Sequence, residues 1–136
     1  MTKKFDRVLT EKELENRREI LGKFIASGMG TEYESYMGVD LKTLKKLKEE
    51  GFLDPKDFQN DAPTAGEFME FMERFPEVRA HGYAIGGKRY DSRVTIEGLH
   101  YEGIMSNELI GVLINELREA DEFELDPEKG FRVWWD

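Results

Sequence analysis

A strongly apolar segment set between two β-alternating runs constrains this chain most. Ser106 can cap a helix running to about Ala120, and Leu109, Ile110, Val112, Leu113, Ile114 and Leu117 give it a broad apolar surface. Before it, Val78 to Ile85 and Arg93 to Tyr101 are rich in β-favouring residues. They flank Gly86-Gly87-Lys88-Arg89-Tyr90-Asp91, a hairpin-loop composition. After it, Glu122-Phe123-Glu124-Leu125 and Phe131-Arg132-Val133-Trp134-Trp135 alternate about the turn residues Asp126-Pro127-Glu128-Lys129-Gly130. A lone hairpin is marginal in water, so two of them beside an apolar helix predict one antiparallel sheet with the helix across it. The expected strands are 78–85, 92–101, 122–125 and 131–135. The expected helix, 106–120, is the most buried of the chain, with Gly111 allowing close approach to the sheet.

The first 77 residues read as helical. Thr10 and Glu13 form a capping box, and Leu14, Leu21, Phe24 and Ile25 follow at helical spacing, so the first helix is expected to end near residue 27 at Ser27-Gly28-Met29-Gly30. Residues 31–39 show little periodicity and are expected as a short helical turn. A second helix runs from about Asp40 to Glu50, with Leu41, Leu44 and Leu47 inward and Gly51 past its end. A third spans about 65–75, capped by Thr64 with Glu67 and stopped by Pro76. The fold class is therefore α+β: three N-terminal helices, a helical subregion over 1–77, followed by a β-β-α-β-β unit over 78–136. The latter forms a four-stranded antiparallel sheet covered by helices, within a single compact domain over 1–136.

Charge and composition narrow the function. With 29 acidic and 20 basic residues the net charge is -9, which repels nucleic acid at long range. A winged-helix reading fails on the third helix, the one that would enter the groove, because it presents Glu67, Glu70 and Glu73. The absence of cysteine removes thiolate metal sites and cysteine nucleophiles. Asp54, Asp57 and Asp61 lack the glycine and terminal glutamate of a calcium loop, and no zinc-site, phosphate-loop or dinucleotide spacing occurs. No metal or cofactor is expected. No apolar run is long enough to span a bilayer, and Met1 to Arg7 carry no apolar stretch of a secretion signal, so a cytoplasmic protein is expected.

Two residue sets remain as candidates. For acid–base chemistry the chain offers His81 and His100 as proton carriers, Glu97 and Glu102 as orienting carboxylates, and Tyr83 and Tyr101 as donors. Arg79 and Arg93 serve as anion anchors in that scheme. With the hairpin loop centred near 88–89, His81 is expected opposite Ile96 and Tyr83 opposite Val94. For ligand or partner contact, period-two geometry puts Phe131, Val133 and Trp135 on one face of the last strand and Arg132 with Trp134 on the other. Trp, Tyr and Arg dominate interface hot spots. The expected function is a small interaction or regulatory module, with a metal-independent acid–base enzyme on a small polar metabolite as the alternative. A protein partner or small polar ligand is expected, and the chain itself as a monomer, or as a homodimer through its last strand.

Overall fold

The computed structural model describes residues 7–135. Its helices are α1 (Glu11–Leu21), α2 (Leu41–Glu49), α3 (Ala65–Arg74) and α4 (Asn107–Glu116). Its strands are β1 (Ile25–Ser27), β2 (Tyr33–Val39), β3 (Arg79–Ile85), β4 (Arg93–Val94), β5 (Gly98–Glu102), β6 (Glu122–Asp126) and β7 (Gly130–Trp134). All strand pairs are antiparallel, in the order β1-β2-β3-β5-β7-β6, with β4 pairing β3. The class is α+β, as the patterning predicts. The sheet, however, has seven strands rather than four, and the N-terminal region supplies two of them.

The two missed strands have a common cause. In β2 the inward positions are Glu34 and Tyr36, so a carboxylate stands where a period-two pattern calls for an apolar residue. Glu34 tolerates this position because its Oε2 accepts from Gly30 N at 2.9 Å. The register then shifts between Tyr36 and Val39, around Gly38 at φ 73°, so Val39 returns to the core out of phase. Residues 31–39 are thus strand and loop rather than a helical turn. The first helix stops at Leu21, not near 27. A 3-10 turn over Gly22–Phe24 leads into β1, whose hairpin with β2 turns through Gly28 and Gly30, both at positive φ.

One apolar cluster joins the inward residues of the sheet, including Ala80, Leu99, Phe131 and Val133, to the buried faces of the helices. Phe68 meets Trp135 edge-on at 5.6 Å between ring centroids. The most buried helix is α3, which buries Ala65, Phe68, Met69, Phe71 and Met72, whereas α4 buries Leu109 and Leu113. Of the apolar residues of α4 outside its Leu109–Leu113–Leu117 row, Ile110 and Val112 are partly buried against the core, and Ile114 is exposed. Gly111 is exposed, with nothing near a would-be Cβ, so it makes no close approach.

Both capping boxes form, at Thr10 with Glu13 and at Thr64 with Glu67. Thr64→Ala leaves the backbone amide of Glu67 without its acceptor at 3.1 Å. It is expected to cost about 1 kcal/mol, read as a lower urea midpoint at unchanged slope.

With the helices on one side, the other side of the sheet carries Ser35 and Met37 of β2, Arg79, His81 and Tyr83 of β3, His100 and Glu102 of β5, and Arg132 and Trp134 of β7. Among the described residues none of these side chains belongs to the apolar cluster. The last strand is interior. The free edge beyond it is β6, whose outward residues Glu122, Glu124 and Asp126 are exposed acids, a charge pattern that disfavours pairing with an identical edge.

Candidate functional site

The open face is built from two cross-strand rows. One runs Arg79, His100, Arg132, Glu124 across β3, β5, β7 and β6; the next runs His81, Gly98, Trp134, Glu122. In the second row Gly98 contributes no side chain, and this gap organises the site. His81 and Trp134 lean over it from either side until their ring centroids stand 5.0 Å apart. A Cβ on Gly98 would lie 2.3 Å from His81 Nε2 and 2.1 Å from the Val133 carbonyl oxygen. His100, one row away, reaches back so that its Nδ1 sits 3.0 Å from His81 Nδ1. The Arg132 guanidinium lies over the Trp134 ring, 4.5 Å from its centroid, within cation–π range.

This packing fixes the protonation chemistry. Burial holds the His81 pKa down at about 3, with His100 and the Arg132 charge adding to the shift. Burial also lowers that of His100, helped by Arg132 and Arg79 and opposed by Glu102. Both imidazoles are therefore neutral at pH 7, and their Nδ1–Nδ1 contact carries one proton. His81 Nε2 is buried without a partner. A bare lone pair is tolerated there more readily than an unbonded N–H. The proton of the shared contact accordingly sits on His81 Nδ1, and His100 carries its own on Nε2, toward the open side.

Arg132 is the unsatisfied member of the cluster. Among the described residues it forms no hydrogen bond or ion pair, and its Nε is buried without a partner. Its cross-strand neighbour Glu124 does not reach it within ion-pair distance. Arg79, at the other end of the row, spends Nη1 on the carbonyls of Pro76 and Val78. A groove of about 430 Å³ passes beside this row, lined by Met37, His100, Glu102, Glu124 and Arg132 among others.

The remaining candidates separate. Glu102 shares the face and the groove with His100. Glu97 does not join the histidines: it is buried and its Oε2 accepts from Thr95 Oγ1 at 2.9 Å. Tyr83 lies further along β3 on the histidine side, its backbone N–H bonded to Thr95 Oγ1. Tyr101 points to the helical side, where its hydroxyl donates to the Ile104 carbonyl at 3.3 Å. Arg93 lies in a separate network with Asp91, Asp57 and Gln59 at the β4 end. His81 stands opposite Gly98 and not Ile96, which is a core residue. Val94 stands opposite Ala84 and not Tyr83, and the break from regular pairing over 95–97 moves the register by one further residue.

Sequence reasoning singled out both histidines, Arg132 and Trp134 but missed the hole at Gly98 that brings them together. The signal was a glycine opposite a tryptophan in a paired strand. Among the described residues no group of three or more His, Asp or Glu side chains is placed to hold a metal ion. No described helix is long and apolar enough to cross a membrane. No protein-family model matches the chain, and neither a curated protein nor a solved structure matches it.

Proposed function

We propose that the protein is an interaction module whose open sheet face receives an acidic side chain of a protein partner. The observation that carries this reading is the Arg132 guanidinium, which lies over Trp134 and among the described residues forms no hydrogen bond or ion pair. It belongs to a row of donors. Arg79 and Arg132 are cationic, and the Nε2–H of neutral His100 lies between them. A carboxylate is the acceptor such a row fits, and a planar guanidinium engages it with two parallel hydrogen bonds. Trp134 and Met37 supply apolar area for the residues flanking the acid, and Glu102, Glu122 and Glu124 border the row. On a chain of net charge -9, this donor row is where an acidic segment meets attraction rather than repulsion.

The test is an array of peptides carrying Glu or Asp flanked by Leu or Phe, each paired with its Gln or Asn counterpart. Wild-type protein is expected to retain the acidic members preferentially. Arg132→Gln should weaken retention about tenfold or more, as loss of a central arginine does at interfaces. Equal retention of acidic and amide peptides, or an unchanged pattern with Arg132→Gln, would sink the reading.

A second reading rests on His100, which lines a groove together with Glu102 and Arg132. Acid–base chemistry on a small polar metabolite needs a proton carrier, an orienting carboxylate and an anion anchor, and these three supply those types. In that case His100→Ala abolishes turnover in a metabolite screen while leaving the folded fraction unchanged, and acidic peptides are not retained.

A further inference from the structure

On the other side of the sheet, under the end of α1, the fold encloses two charges that do not touch. Arg17 is 2% exposed and Glu34 is 5% exposed, yet no ion pair joins them within 4 Å. Arg17 stands on the apolar stripe of its helix, between Leu14 and Leu21. Of its five donors, one is used among the described residues, from Nη1 to the Ile85 carbonyl at 3.1 Å. Glu34 uses Oε2 on Gly30 N. Neither remaining end is sealed in protein. Both side chains line one cavity of about 100 Å³ whose other walls include Leu21, Ile25 and Ala84, with Met29 exposed at its edge. Burial pulls the Arg17 pKa below its ordinary value, and the Glu34 charge acts against that shift.

We propose that this cavity binds a small α-amino acid with a short apolar side chain, its carboxylate on Arg17 and its ammonium on Glu34. Three features select this class. Two buried, separated charges of opposite sign each need a partner, and desolvated charges without one are costly. A zwitterion offers each charge its counterpart and adds no net charge. A simple carboxylate would leave Glu34 facing a second negative charge, and a simple amine would leave Arg17, with Arg18, which also lines the cavity, facing a positive one. The size agrees too: an enclosed cavity of roughly 150 Å³ accepts a six-atom ring, so the space here suits about the six non-hydrogen atoms of alanine. The walls Leu21, Ile25 and Ala84 match a methyl group and offer a longer polar side chain nothing. This site lies across the sheet from the Arg132 row and stands or falls independently of it.

The experiment is a ¹⁵N-labelled titration with L-alanine to about 20 mM, a range that resolves millimolar affinity. Saturable shifts are expected at the amides of Leu21, Gly22, Glu34 and Ala84. Propionate and ethylamine, each lacking one charged end, should bind at least about tenfold more weakly. Glu34→Gln should lose a similar factor. Arg17→Met removes a buried hydrogen bond and risks the fold, so Gly22→Leu serves as the second variant. Gly22 lines the cavity at φ -50°, and a Cβ there meets nothing within 4 Å, so the larger residue obstructs the site without strain. Absence of saturable shifts with L-alanine overturns the proposal. So does equal binding of propionate or ethylamine, or L-alanine affinity unchanged in both Glu34→Gln and Gly22→Leu.

Discussion

Gly98→Ala is expected to destabilise the protein by about 3 kcal/mol or more, an unusually large cost for adding one methyl group. The added Cβ would stand 2.1 Å from the Val133 carbonyl oxygen on the neighbouring strand. A backbone atom in the middle of β7 cannot rotate away, so β5 and β7 must separate and their ladder must lengthen. The same Cβ would stand 2.3 Å from His81 Nε2, forcing the imidazole off the sheet and breaking its contact with His100. Gly111→Ala is the matched control. That glycine is helical, exposed and has open space at its Cβ, so alanine there should stabilise by about 0.5–1 kcal/mol. Two glycine-to-alanine changes of opposite sign, read by urea unfolding, separate the steric argument from any general effect of backbone stiffening. A Gly98→Ala protein within 1 kcal/mol of wild type would remove the basis for treating Gly98 as the organiser of the open face.

What could be read without coordinates divides along physical lines. Helices α2 and α3 were legible because capping residues and an apolar stripe agreed at both. The split of Trp134 from Trp135 was legible because period-two geometry leaves no alternative once β7 is a strand. β2 was not, because Glu34 and Gly38 interrupt its alternation, and both exceptions are satisfied by tertiary detail: a loop amide for the carboxylate and a left-handed glycine at the register shift. The over-reading of α4 has a similar origin. Counting apolar residues around a helix measures how much surface it has to bury, whereas the fold leaves Ile114 largely uncovered. In the site, residue types were visible and register was not. His81 and His100 lie 19 positions apart, and only the irregular stretch at 95–97 brings them to adjacent rows of one face. The charged pair Arg17 and Glu34 left a fainter trace, each a polar residue at a core position of its own periodicity. Their placement around one cavity between α1 and β2 depended on a strand that the pattern concealed.

The neutral histidine pair makes the fold acid-sensitive in a window set by its own groups. His81 titrates at about 3 in the folded chain against an ordinary value of 6.5, and His100 is shifted in the same direction. Between those values the unfolded chain binds protons that the folded chain does not. Stability therefore rises with pH across the window and is lost as pH falls below about 6.5. Each unit is worth about 1.4 kcal/mol for one such group, so His81 alone should remove on the order of 2–3 kcal/mol between pH 6.5 and 4.5. In a chain of this length that lowers Tm by roughly 10 °C. The carboxylates held below their ordinary values, Glu13, Asp40 and Asp91, act in the same direction but at lower pH. There, protonation removes the hydrogen bonds they accept from Thr10, Thr43 and Arg89. The histidine effect is thus separable by pH. The physical source is burial first: a proton added to His81 goes to Nε2, which is buried without a partner and lies near the Arg132 charge, whereas one added to His100 goes to Nδ1 and puts two N–H groups face to face. Thermal unfolding from pH 8 to pH 4.5 is expected to be flat above about 6.5 and to fall steadily below it. His81→Gln, which cannot titrate, should flatten most of that fall even where it lowers stability at pH 7. A wild-type profile with no slope between pH 6.5 and 4.5, or the same slope in His81→Gln, would show that the imidazole pair is not neutral at the heart of the open face.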